Sequence, residues 1–217
     1  MTLSPRILRA GAIGAGISTL MLLMMAFISL PRGVEYPGIE VLTGGLILPE
    51  AEKIRYIAGI SHLFIMDGFF LVGWIISWVG LAELIRPRYR ILAVLTLTFG
   101  LTGAMFDLIE NSIIWGVIGN FAAGRPSGSK WVIPWKALQS LSYWLPFLGA
   151  VFAACGLWSA RRLDKITALT GSVLLLAAIP GLYLPDFAFL ANMWFLFWFA
   201  CVALLLWRRS VDIFKNS

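Results

Sequence analysis

Residues 91–118 read ILAVLTLTFGLTGAMFDLIENSIIWGVI, and this stretch decides what kind of molecule the chain forms. As a single helix it is long enough to cross a hydrocarbon layer about 30 Å thick. It carries three groups that hydrocarbon solvates poorly, Asp107, Glu110 and Asn111. At i, i+3 and i+4 their side chains leave one face of a helix and form one polar patch. Ionisable residues at such depth are costly and mark a functional site by default. One segment therefore predicts both a membrane span and the polar centre of the protein.

Outward from it, five more apolar segments of roughly twenty residues each can span a bilayer. The full set is 7–30, 56–82, 91–119, 137–160, 166–184 and 187–207. Composition agrees: mean hydropathy is +0.88, with 60% hydrophobic and 13% charged residues over 217 positions, well outside the soluble globular range. The fold class is all-α, a polytopic membrane helical bundle of about six transmembrane helices forming one domain over 1–217. The first segment follows Arg6 and Arg9 as a signal peptide would, but it is too long for an h-region. Phe27-Ile-Ser-Leu30 also offers no small-x-small cleavage site, so the segment is read as a retained helix.

Charge placement gives the orientation. Arg6, Arg9, Arg86, Arg88, Arg90, Arg161, Arg162, Lys165, Arg208, Arg209 and Lys215 fall on one side, eleven of the seventeen lysines and arginines. The positive-inside rule then predicts both termini in the cytoplasm and a multi-pass protein of the inner (plasma) membrane. The same clustering explains the +6 formal charge as topology, and nucleic acid is not an expected partner. Trp115, Trp131 and Trp135 flank the outer face while Trp158 and Trp207 lie near the inner one, as amphipathic rings do. Trp194 and Trp198 fall within the sixth segment and are read as aromatic packing.

The longest connections, 31–55 and 120–136, lie on the outer side, with turn signals at Pro31-Arg-Gly, Tyr36-Pro-Gly and Pro126-Ser-Gly-Ser, and Pro185-Asp186 marks a further outer turn. Small residues predict close helix approaches: Ala10, Gly14 and Ser18 in the first segment, Gly100 and Ala104 in the third, Gly149 and Ala153 in the fourth. Pro146 and Pro180, read as lying inside helices, each free a carbonyl one turn back, at Ser142 and Leu176. The halves show no residue-level similarity that would mark an inverted repeat. The bilayer is the certain environment. The small-residue stripes and the aromatic sixth segment would serve a homo-oligomer or a membrane partner subunit equally well.

A rise of about 1.5 Å per residue converts position to depth. On that scale His62 lies roughly 9 Å and Asp67 roughly 16 Å below the outer end of the second segment. Asp107 lies roughly 18 Å and Glu110 roughly 13 Å down the third, with Tyr143 and Asn192 at roughly 8–9 Å. The candidate site is therefore Asp67, Asp107, Glu110, Asn111, Tyr143, His62 and Asn192, all in the outer half of the membrane. His62 and Asp67 are about 140° apart around a helix and cannot point the same way, so a site using both needs them on two walls.

Three readings of the carboxylates compete. As neutral acids, protonated because hydrocarbon disfavours their charge, they would join helices in a non-catalytic subunit or assembly factor, each contact worth a modest ~0.6–2 kcal/mol. As the lining of a cavity open to the outer face they would bind a proton, a cation or a lipid-like ligand. As metal ligands they would make a hydrolase or oxidase, acceptable by donor type. The third lacks a recognised ligand spacing, so no metal site is assigned and the cofactor is left open. With one histidine in the chain, a bis-histidine haem is excluded. Cys155 and Cys201 sit in apolar stretches and suggest no disulfide. No Gly-x-Ser-x-Gly elbow or phosphate loop is present.

Met66-Asp67-Gly-Phe-Phe followed by Phe106-Asp107-Leu-Ile-Glu110-Asn111 resembles a group of small bacterial inner-membrane proteins with an aspartate in the middle of helix two and an Asp-x-x-Glu-Asn element in helix three. The resemblance covers about residues 1–160 and implies architecture without an activity. Tyr143-Trp144 stands where that group carries Lys-Trp, so an ion pair between a helix-four lysine and the acids is not expected here. The commitment from sequence is a carboxylate-amide centre between the second, third and fourth helices that binds a proton, cation or lipid-like molecule from the outer face.

Overall fold

The computed structural model describes residues 3–29, 49–125, 130, 132–158, 161–180 and 188–215. These form six α-helices: α1 (Pro5–Ser29), α2 (Glu50–Ile85), α3 (Arg90–Ala122), α4 (Val132–Leu157), α5 (Arg162–Ala178) and α6 (Ala188–Lys215). All but α5 are long and apolar enough to span a membrane. α5 falls short because its 17 residues open on Arg162-Leu-Asp-Lys165 and include Thr167, Thr170 and Ser172. Large apolar side chains face outward over much of the surface, among them Ile91, Leu176 and Leu204, which is the pattern hydrocarbon stabilises and water does not. The molecule is a helical membrane bundle.

Helix ends follow local chemistry. α1 starts at Pro5, whose missing N–H is no loss in a first turn, and the Ser4 hydroxyl accepts the Ile7 N–H at 3.4 Å. Pro87 stops α2, and the turn Arg86–Tyr89 sends the chain straight back as α3. Several helices outrun the apolar windows. Residues 50–55, read as loop, begin α2; residues 132–136, also read as loop, begin α4; and α6 continues through Arg208 and Arg209 to Lys215. Hydropathy marks where hydrocarbon starts, whereas backbone hydrogen bonding continues into the headgroups. α5 ends at Ala178 with Ile179 as its cap, so Pro180 lies just beyond α5, at a residue that is again helical. The turns expected at 31–33, 36–38, 126–129 and 185–186, and Trp131, lie outside the described residues.

The helices pack in chain order around a closed ring: α1 on α2, α2 on α3, α3 on α4, α4 on α5, α5 on α6, and α6 back on α1. α2 also touches α4 and α6, which draws it toward the centre. Glycines set the tightest approaches. A Cβ on Gly11 would stand 2.7 Å from Gly80 Cα, and one on Gly73 would stand 2.5 Å from Gly14 O, so α1 and α2 touch backbone to backbone. The contact stripe is Gly11, Gly14 and Ser18; Ala10, expected on it, is exposed because the stripe follows the slant of the helix crossing. A Cβ on Gly149 would stand 3.2 Å from Gly100 N, so α3 and α4 also approach closely there.

The main core is aromatic. Trp74, Trp78, Phe147, Trp198 and Phe199 are almost wholly buried. Trp194 and Trp198 stack with centroids 5.8 Å apart and planes 7° from parallel. Trp74 Nε1 donates to Gly100 O and Trp194 Nε1 to Thr170 O, each at 2.9 Å, so these rings join helices through both ends. At one end of the bundle the Arg9 guanidinium lies over the rings of Trp207 and Phe214. The start of α1 and the end of α6 are therefore at the same end. Trp158 and Trp207 are half exposed there, and Trp115 is exposed toward the other end.

Candidate functional site

The tight α2–α3 turn places the acids. Asp67 and Asp107 each lie twenty residues from Pro87, so antiparallel helices of equal rise bring them to the same depth. Asn111 sits one turn from Asp107 on the same face and closes the gap: its Nδ2 group donates to Asp67 Oδ2 and, at 3.4 Å, to Asp107 Oδ2. One amide thus serves two carboxyls on two helices. These three residues are half-buried, whereas Glu110 is buried.

Glu110 faces α4. Ser142 Oγ lies 3.2 Å from Glu110 Oε2 and 2.9 Å from its own helix's Gln139 O. Gln139 and Trp135 also approach this carboxyl from earlier turns of α4, although the buried Trp135 Nε1 makes no hydrogen bond of ordinary geometry. Residues 135, 139 and 142 share one helix face. Sequence reading missed Trp135 because it began the fourth helix at 137, and passed over Gln139 inside that span; with the helix starting at Val132 the spacing of 135, 139 and 142 points to both.

Asp67, Asp107 and Glu110 are close enough to act on one another as like charges. The groups acting on them are acids, amides, a hydroxyl and an indole, with no basic side chain among the described residues. The centre is a polar layer between two apolar packings. On the side away from the start of α1 and the end of α6, Tyr56, Ile60, Val117 and Ile118 form a small cluster with Tyr56 edge-on to Phe121 at 5.9 Å; on the other side lies the main aromatic core.

The remaining candidates divide. The Tyr143 hydroxyl donates to Asn192 Oδ1 at 3.3 Å, tying α4 to α6, and lies within electrostatic reach of all three acids without a hydrogen bond to them. His62 is exposed on α2, with Nδ1 2.7 Å from Ala58 O of its own helix. It is not joined to the carboxylates, in keeping with the angular separation from Asp67. Among the described residues no group of three or more His, Cys, Asp or Glu is arranged to hold a metal ion. Cys155 and Cys201 are free thiols on α4 and α6.

Fold and site together define a multi-pass helical membrane protein with a carboxylate-amide centre shared by α2, α3 and α4. No family model matches this chain, and neither a curated protein nor a solved structure matches it.

Proposed function

We propose that the centre formed by Asp67, Asp107, Glu110, Asn111 and Ser142 is a binding site that takes up positive charge, a proton or a cation, or the polar part of a lipid-like molecule. The membrane is read as a bacterial inner membrane with both termini cytoplasmic, from the arginine distribution and the resemblance over 1–160. In this orientation the site is reached from the outer half.

The observation that carries this reading is the hydrogen-bond count around Glu110 and Asn111. Ser142 has one hydroxyl proton and two acceptors, Glu110 Oε2 and Gln139 O. Both contacts are full hydrogen bonds when Glu110 itself carries a proton and donates it to Oγ; with Glu110 ionised the two acceptors share one proton. On the other side Asn111 uses its N–H bonds on Asp67 and Asp107, which leaves those acids no second donor among the described residues. Three ionised carboxylates held this close in a medium of low dielectric repel strongly. Added positive charge relieves that repulsion, and no basic side chain among the described residues acts on the three acids.

The rival is a cluster that only holds helices together in a non-catalytic subunit, favoured by the use Asn111 makes of both aspartates. Thermal unfolding of the purified protein in neutral detergent separates the two. Wild type is compared with Asp107→Asn/Glu110→Gln while protons, sodium, potassium and calcium are varied, and bound metal is measured by elemental analysis. A ligand site predicts that the wild-type midpoint rises with one of these species and that the variant no longer responds. A structural cluster of neutral acids predicts a response to protons alone, with sodium, potassium and calcium stabilising neither protein. Stoichiometric metal in wild type alone would move the reading to a metal-dependent hydrolase or oxidase.

A further inference from the structure

The kind of positive charge that suits the carboxylate centre follows from the atom standing between its acids, an inference that rests on the binding function proposed above. Asn111 Nδ2 contacts Asp67 Oδ2 and Asp107 Oδ2 together. A metal cation shared by the two aspartates would need the position that this nitrogen occupies. An amide NH₂ group donates and is no ligand for a metal, so a coordination shell has to displace it. The third acid does not converge on the same point, because Glu110 is turned to Ser142 of α4. Calcium takes about six to eight oxygen ligands and magnesium keeps several waters. Here two carboxylate oxygens face a donor instead.

The wall around Glu110 points the same way independently. Trp135 Nε1 is buried, makes no hydrogen bond of ordinary geometry, and approaches the Glu110 carboxyl. An indole N–H can only donate, so it serves a carboxyl that carries negative charge and offers a cation nothing. With its proton on, Glu110 donates to Ser142 Oγ; with the proton gone, it accepts from Ser142 and has the Trp135 N–H as a second donor. The centre therefore has partners for both the protonated and the ionised acid. On its two sides lie the Tyr56, Ile60, Val117 and Ile118 cluster and the aromatic core, against which a hydrated cation would have to shed its water.

We propose that the centre is a proton-exchange site: one of its acids takes a proton from hydronium, leaving water and a neutral carboxyl, and returns it by the reverse step, while Asn111 bars metal cations. The titratable groups facing Asp67, Asp107 and Glu110 are one another and the Tyr143 hydroxyl of α4. His62 of α2 is exposed and bonded to Ala58 O. No lysine or arginine among the described residues acts on the three acids. The charged residues of α1, α5 and α6 lie toward the end where Arg9 meets Trp207.

The test is infrared difference spectroscopy of the full chain in neutral detergent. It follows the carbonyl band of protonated carboxyls over a pH series in choline chloride, then in sodium, potassium and calcium chloride at equal ionic strength. Wild type is expected to show a band that grows as pH falls, is smaller in Asp107→Asn/Glu110→Gln, and is the same in every salt. In Asn111→Asp, where a carboxylate replaces the barring amide, calcium is expected to abolish the band at a pH where choline leaves it. A wild-type band abolished by sodium, potassium or calcium at fixed pH overturns the proton assignment and leaves the centre a cation site. A band that does not titrate, or that is unchanged in the double variant, with no effect of any salt, overturns the proton assignment and the binding function together. An Asn111→Asp protein whose band no cation moves overturns the role given to Asn111. If Asn111→Asp is not monodisperse, Asn111→Ser, which removes the amide and leaves a hydroxyl oxygen, is read by the same criteria.

Discussion

At the scale of single residues the molecule turns on Asn111. It donates to carboxyls on two helices, so removing it leaves two acids without their shared donor. Asn111→Leu is expected to destabilise the bundle by about 1–3 kcal/mol, because a half-buried acceptor left unpaired costs more than a made bond contributes. The unfolding midpoint in detergent reads this directly, and a midpoint equal to wild type would show that the bridge carries no energy. Ser142→Ala is expected to have the smaller effect, about 0.5–1.5 kcal/mol, since Glu110 loses one hydroxyl partner. Much of this centre was legible in the sequence. The i, i+3, i+4 spacing put Asp107, Glu110 and Asn111 on one face, and depths counted from the outer helix ends, roughly 16 Å for Asp67 and roughly 18 Å for Asp107, put the two aspartates nearly level. What was not legible was the division of labour. Spacing cannot say that Asn111 turns to α2 while Glu110 turns to α4, because that depends on which neighbour each side of α3 meets.

At the scale of helices, glycine decides where elements touch, and the glycines differ sharply. A Cβ at Gly100 runs into the ring of Trp78, which is 1% exposed and cannot move aside. Gly100→Val is expected to destabilise by about 1–3 kcal/mol or more as an overpacked contact. A Cβ at Gly116, on the same helix, meets nothing within 4 Å. There Gly116→Ala is expected to be neutral or stabilising by up to about 1 kcal/mol through helix propensity. Opposite signs from one helix, measured in the same thermal or denaturant assay, would check the packing; equal effects would refute it. The sequence pointed to Gly14, Ser18, Gly100 and Gly149 as contact residues, and all four are buried. It misassigned Ala10 because a spacing of four traces a straight stripe and α1 crosses α2 along Gly11 and Gly14. Helix ends were the least legible feature. An apolar window stops at the first charged turn, whereas α4 and α6 carry Lys136, Arg208 and Arg209 inside the helix.

At the scale of the whole molecule, Arg9 over Trp207 and Phe214 joins the first helix to the last. Reporter fusions at the two ends are therefore expected to fall on the same side of the membrane, which the proposed orientation puts in the cytoplasm. Fusions reporting opposite sides would break the ring. Closing the ring through α6 also has a consequence for biogenesis. Phe70 and Trp74 of α2 finish their packing on Phe195 and Phe199, with centroids 5.3–6.5 Å apart. During synthesis that face of α2 enters the bilayer long before its partners exist. Until the last hundred or so residues have left the ribosome it must be shielded by lipid, by the insertion machinery or by a chaperone. A chain stopped before residue 188 is expected to insert but to be cleared faster than the full chain in a pulse-chase experiment. An equal lifetime would mean that the first five helices already form a finished unit. Such a protein commits late: its quality-control window lasts as long as translation does, and its final helix acts as the latch.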